Sequence, residues 1–115
     1  MHRINLKTEL NALGIPFALI GYPTKAPSYP YGIYLENIDV SGSDNPDSRY
    51  RTVDHNVTIE VYHKTDEGLF AACEILERWL DELPLDYRRE MIYIPEDDHL
   101  LASYTMNYTT KKKKG

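Results

Sequence analysis

The sequence predicts an α+β domain: a mostly antiparallel sheet with two helices packed on one face. Three observations carry this. Residues 49–62, RYRTVDHNVTIEVY, alternate apolar and polar side chains over a long run, as a strand with one dry and one wet face does. Residues 65–83 then change to helical spacing, with Leu69, Cys73, Leu76 and Leu80 on one stripe. The remaining apolar runs are short and follow one another through turn-rich segments rather than through alternating helices, which favours antiparallel pairing.

Helical spacing opens the chain. Leu6, Leu10 and Leu13 fall at i, i+4 and i+7, so residues 4–13 read as a first helix, with Gly14 to end it and Pro16 to block its continuation. Residues 16–20, PFALI, form a short apolar strand. The connector GYPTKAPSYPYG (residues 21–32) holds three prolines and two glycines, so it is neither helix nor central strand. Its Tyr and Pro residues, Tyr22, Pro23, Tyr29 and Tyr31, make it a candidate contact loop. Residues 33–40 are a strand whose apolar parity changes between Ile33/Leu35 and Ile38/Val40, which predicts a bulge near Glu36-Asn37. SGSDNPDS (residues 41–48) is dense in turn formers and leads into the long strand.

Thr65 is placed to cap the second helix, with Asp66 and Glu67 at its positive end. Phe70, Ala72 and Trp79 broaden the stripe of that helix, and Pro84 ends it. Residues 91–94 form a short strand, PEDD (residues 95–98) a turn, and residues 100–109 a last strand with Leu100, Ala102, Tyr104, Met106 and Tyr108 on one face. Residues 111–114 are all lysine. The organisation is one domain over residues 1–110 followed by a basic C-terminal tail, 111–115.

At 115 residues and a formal net charge of −5, the chain suits one domain that buries roughly two-thirds of its unfolded surface without disulfide staples. It has one cysteine, Cys73, so no internal disulfide. No start segment resembles a signal peptide and no stretch is long enough to span a bilayer, so a reducing cytoplasm is the expected compartment. The sequons at Asn56 and Asn107 fall inside strands and read as chance matches. Ten Tyr stand against two Phe and one Trp. Tyr joins an apolar ring to a hydrogen-bonding tip, which suits both half-buried strands and interfaces.

Reactive constellations are each better read as structure. Tyr62-His63-Lys64 lies between a strand end and a helix cap, a polar corner with no partner set for general base catalysis. His55 sits on an apolar strand face, as a core histidine or at a subunit contact. Glu96-Asp97-Asp98-His99 has carboxylates but no calcium-loop spacing, and reads as a solvated hairpin tip. Cys73 has no partner at zinc spacing. No glycine loop for phosphates and no serine elbow occurs. Neither a cofactor, a metal nor a reaction is expected. The lysine run alone would give nucleic acid only weak, salt-sensitive attraction.

The stretches GYPTKAPSYPYGIYLENI, SGSDNPDSRYRT, VTIEVYHKT and DEGLFAACEILERWL, in that order and spacing, resemble the tail terminator or tail completion proteins of long-tailed, siphovirus-like bacteriophages. The shared pattern is a Tyr-Pro connector (Tyr22-Pro23), a Pro-Tyr strand start (Pro30-Tyr31), a polar loop, a strand ending in Val61-Tyr62, and a helix. It runs from about residue 13 to residue 109. The resemblance implies a small α+β subunit that forms a hexameric ring, caps the finished tail tube and offers the surface for head joining. The implied partners are other copies of the chain, tail-tube protein and a head-side neck or connector protein, with no membrane and with DNA met only in the ring lumen. The implied site is the virion tail at the head–tail interface, after assembly in the host cytoplasm. Asp44, Asp47, Arg49 and Arg51 in the polar loop join the connector residues as candidate contacts. The alternatives are a head-side neck protein, a cellular module that presents its Pro-Tyr loop to a peptide, and a small enzyme using His55 or His63.

Overall fold

The structure is a computed structural model and describes residues 2–22, 25–41 and 50–113. Its elements run α1 (Leu6–Asn11), β1 (Phe17–Leu19), β2 (Tyr31–Ser41), β3 (Tyr50–His63), α2 (Asp66–Asp81), β4 (Tyr87–Ile94) and β5 (His99–Lys113). The five strands form one sheet in the order β1-β2-β3-β5-β4. Every neighbouring pair is antiparallel except β1 with β2, which is parallel. The fold is thus the predicted α+β class.

Both helices start on side-chain caps. Asn5 Oδ1 accepts from the Thr8 amide at 3.2 Å, and the Thr65 hydroxyl accepts from the Gly68 amide at 3.1 Å. The α1 helix is shorter than its apolar spacing predicts, because the chain must turn at once toward β1. Gly14 takes φ +88°, and the Asn11 side chain accepts from the Phe17 amide at 3.1 Å. Leu13 lies beyond the helix and packs against the core edge. The two helices share one side of the sheet, and Trp79 Nε1 donates to Glu9 Oε1 at 3.0 Å to join them.

The core lies under them. Leu69, Ala72, Cys73, Leu76 and Leu80 of α2 cover Val57, Ile59 and Val61 of β3 and Ala102, Tyr104 and Met106 of β5. Leu6 and Leu10 of α1, with Ile15 and Phe17, complete it beside Tyr34 of β2. Phe70 corrects the predicted stripe: it is 53% exposed, since one step past Leu69 turns it about 100° from the buried line.

Four other expectations change. No bulge interrupts β2, whose register with β3 is unbroken from Tyr31↔Tyr62 to Ser41↔Thr52. The parity change has another cause. Ile33 and Leu35 face away from the helices; Ile38 and Val40 face their side, but at 41% and 49% exposure, where the strand has run past the helical layer. The fourth strand begins at Tyr87, not at residue 91: Tyr-Arg-Arg-Glu is an edge segment in which only Tyr87 is half-buried, against the core. The lysines at 111–113 are not a tail: β5 continues through them, opposite Thr52, Arg51 and Tyr50. His99 is not at a solvated tip but buried, at 7% exposure, as the first residue of β5.

The sheet outruns its neighbours at one end. β1 stops at Leu19↔Tyr34, and β4 begins at Tyr87↔Met106. Beyond those rows β2, β3 and β5 continue alone. Among the described residues, nothing pairs with the outer edge of β2 past Tyr34 by strand register, or with that of β5 past Met106.

Candidate functional site

The connector between β1 and β2 folds over the sheet face opposite the helices. Tyr22 is fixed by its hydroxyl, which donates toward Pro16 O (2.9 Å) and Gly32 O (3.1 Å). That oxygen ties the connector to both strands it joins. Tyr29, Tyr31 and Tyr62 form a stack, with ring centroids 5.3 Å and 5.1 Å apart, and Tyr22 meets the edge of Tyr31 at 5.6 Å. His99 closes the group edge-on to Tyr62 at 4.9 Å, with Nδ1 within 3.2 Å of the Tyr29 hydroxyl. These contacts explain the burial of His99; Leu101, opposite Tyr62 in register, is buried as well.

The predicted contact residues therefore divide. Tyr22, Tyr29 and Tyr31 come together and are half-buried, so they shape this surface from within while keeping exposed rims. Arg51 lies apart from them, exposed at the start of β3 opposite Lys112. Pro23, Asp44, Asp47 and Arg49 lie outside the described residues.

His63 sits at the same end of the sheet, beneath the first turn of α2. Its Nδ1 accepts from the Thr65 amide at 3.3 Å, and its ring lies where a side chain on Gly68 would go: a Cβ there would fall 2.2 Å from Cε1. The corner is thus built as a hinge. We expect Gly68→Ala to destabilise the native protein but to stabilise His63→Ala by up to about 1 kcal/mol, the helix preference for Ala over Gly. Urea unfolding of the two single variants and the double variant checks this inversion of sign.

Sequence reasoning missed a polar cluster on the helix side, where the helical layer ends. Glu36, 8% exposed in its side chain, accepts from Arg3 Nε at 3.2 Å and also from Arg3 Nη2. It stands 3.1 Å from His55 Nδ1 and 3.4 Å from the Tyr108 hydroxyl. His55 Nε2 lies 2.8 Å from the Thr110 hydroxyl, and the ring stacks on Tyr108 at 4.4 Å. The Tyr108 oxygen in turn accepts from the Ile4 amide at 3.0 Å. His55 is thus held on both nitrogens, between the Glu36 carboxylate and the Thr110 hydroxyl. The sequence marked His55 on its apolar strand face; its partner Glu36 was signalled only by a carboxylate on the parity of Ile38 and Val40.

A second carboxylate, Glu77 of α2, accepts from Tyr104 Oη at 2.7 Å and from Arg89 Nη1 at 2.8 Å. Burial, then the hydroxyl's bonding to Cys73 and Glu77, holds the Tyr104 phenol far above its ordinary value. Burial first, and Asp81 and Glu77 beside it, push Tyr87 up to about 12. Burial, with Glu60 next, raises the Tyr62 phenol well above its ordinary value, and burial raises the Cys73 thiol too. The sign follows: the folded chain keeps these phenol protons where the unfolded chain has lost them. Their stabilisation is complete below pH 10 and is lost as pH rises through the folded values. Stability measured by denaturant midpoint is expected to fall steeply between pH 10 and 12, and less steeply in Tyr104→Phe. Among the described residues, no group of His, Cys, Asp or Glu is arranged to hold a metal ion, and no helix is long and apolar enough to cross a membrane.

No family model and no curated protein matches the chain. Among solved structures, the fold is similar to a chain of the "Virion of native gene transfer agent (GTA) particle". The TM-score is 0.60 at 10% identity, over 96% of this chain and 87% of that one.

Proposed function

We propose that this chain is a structural virion subunit of a phage-like particle, and within that class a tail terminator. It forms a ring that caps the finished tail tube and presents the surface to which the head is joined. The observation that carries this reading is the extent of the likeness to the gene transfer agent virion chain, 96% of one and 87% of the other. The match runs over nearly the full length of both chains, not over a short shared motif. The order of connector, polar loop, strand and helix in the sequence supports the finer role, as does the tyrosine-rich connector surface. In this reading the protein carries out no reaction. His55, His63 and His99 are held by structural partners, and the buried thiol of Cys73 is a packing group. Its partners are further copies of itself, tail-tube protein and a head-side neck protein.

The test is to mix purified protein with uncapped tail tubes and with tail-less heads, then image both. Density at one end of the tubes, and tubes that then join heads, is the expected result. Binding to heads with no binding to tube ends would replace the terminator role with that of a neck protein.

A further inference from the structure

We propose that neighbouring copies of this chain join side by side, the apolar corner Leu19-Ile20 of one copy seating in the groove between α2 and β4 of the next. The inference rests on the ring-forming role just proposed and names the two surfaces that make the contact.

The corner follows directly on β1, the outermost strand at one side of the sheet. Ile20 takes φ +68°, a conformation that is a genuine outlier for a β-branched residue. Two backbone bonds hold it there. The Ile20 amide donates to Tyr34 O at 2.8 Å, and the Gly21 amide donates to Leu19 O at 2.7 Å. The turn leaves Ile20 68% exposed and Leu19 56% exposed. Packing within the chain therefore gives no return for the strain. Strain of this kind gathers where a surface is used.

The opposite side of the sheet offers a recess. α2 covers β3 and β5, and among the described residues no helix lies over β4, the outermost strand on that side. Arg89 and Met91, on the helix side of β4 opposite Tyr104 and Ala102, are exposed. Between that strand and α2 runs a groove of about 510 Å³, with the exposed Phe70 ring on its wall and buried Cys73 at its floor. Glu74, Glu77 and Asp81 line it as well.

Charge selects a second copy as the occupant. Residues 66–81 of α2 carry five carboxylates and one arginine. Arg89 occupies Glu77, but Glu74 and Asp81 make no ion pair among the described residues. Residues 2–8, beside the corner, carry Arg3 and Lys7 and no carboxylate, and both line one hollow with Leu19. Lys7 is exposed and makes no ion pair among the described residues. An apolar corner with a basic flank thus meets an apolar recess with an acidic one, an arrangement that fixes the pairing of surfaces. Corner and groove lie on opposite edges of one sheet, so no chain fills its own groove. The contact is head-to-tail, and it generates a ring when the rotation between copies closes.

Cysteines placed across the contact test it, in a Cys73→Ala background so that the native thiol takes no part. The Ile20→Cys and Phe70→Cys proteins, one of them enlarged by a tag, are mixed at their highest soluble concentration and oxidised. A mixed disulfide dimer, severalfold more abundant than the symmetric dimer that each protein forms alone, is expected. A protein carrying both cysteines should run on to a ladder of multimers. Lys7→Glu in the first protein should cut the mixed dimer severalfold, and Glu74→Lys in the second should restore it. All four positions are exposed, so the circular dichroism of each variant should match that of the Cys73→Ala parent. Mixed dimers no more abundant than symmetric ones, or charge exchanges that leave their yield unchanged, would overturn the inference. A ladder in a protein that leaves tail tubes uncapped would overturn the terminator role alone. Capped tubes whose subunits form no cross-link between positions 20 and 70 would overturn this contact alone.

Discussion

Gly32→Ala is expected to destabilise the protein by about 3 kcal/mol, although it adds one methyl group to a strand. A Cβ at this position would fall 2.1 Å from the Phe17 ring, closer than any packed contact allows. Gly32 and Phe17 are Cα partners across the parallel β1–β2 pair, and the Gly32 amide donates to Pro16 O at 2.8 Å. The backbone cannot withdraw without losing that bond, so the ring must move. Overpacking alone costs about 1–3 kcal/mol, and driving a Phe ring out of the core costs about 3–5 kcal/mol. The control is Phe17→Ala, which removes the ring atoms that the methyl group would meet. Gly32→Ala should cost much less in that background, a coupling that denaturant unfolding of the cycle reads directly. Equal cost in both backgrounds would mean that Phe17 is not what the methyl group meets.

Leu76→Ala is expected to cost about 2–5 kcal/mol, the range for a fully buried leucine. Its side chain has no exposed area and sits at the middle of the α2 stripe, over β3 and β5. Phe70→Ala on the same helix should cost under about 0.5 kcal/mol, as surface changes do, because that ring stands 53% exposed. The contrast tests the orientation of α2 with one measurement on each of two apolar side chains.

What was legible in the sequence was whatever depends on neighbours along the chain. Thr65 marked the start of α2 because an N-cap acts within one turn. The alternation from Val53 to Val61 marked β3 because one face of it is buried along that run, with α2 over Val57, Ile59 and Val61. The errors arose where coverage comes from far away. His99 reads as a hairpin tip until the connector, some seventy residues earlier, lays Tyr29 over it. The apparent bulge in β2 came from treating apolar parity as a record of backbone geometry. It records what lies above each face, and that changes where the helical layer ends. Tyr87 to Glu90 escaped notice because an edge segment with one half-buried residue among exposed ones has no period to read. The lysines at 111–113 look like a solvated run, yet β3 is long enough to pair with them. The connector residues were picked out for the right composition, but their stacking on Tyr62 and His99 depends on tertiary placement that no local pattern encodes.

The position of β5 has a consequence for how the molecule is made. This strand is the last element in the chain, yet it lies inside the sheet, between β3 and β4. During synthesis β2, β3 and α2 emerge first, and β3 then presents one whole unpaired side, fourteen residues long, until the β4–β5 hairpin is released to cover it. Contacts so distant in sequence form slowly. The interval before the hairpin docks is when a nascent chain is most open to pairing with another nascent chain instead of with itself. A premature stop after α2 should therefore yield insoluble protein rather than a smaller folded one. Growth temperature during expression should act on the yield of the full chain through this interval more than through the stability of the finished fold.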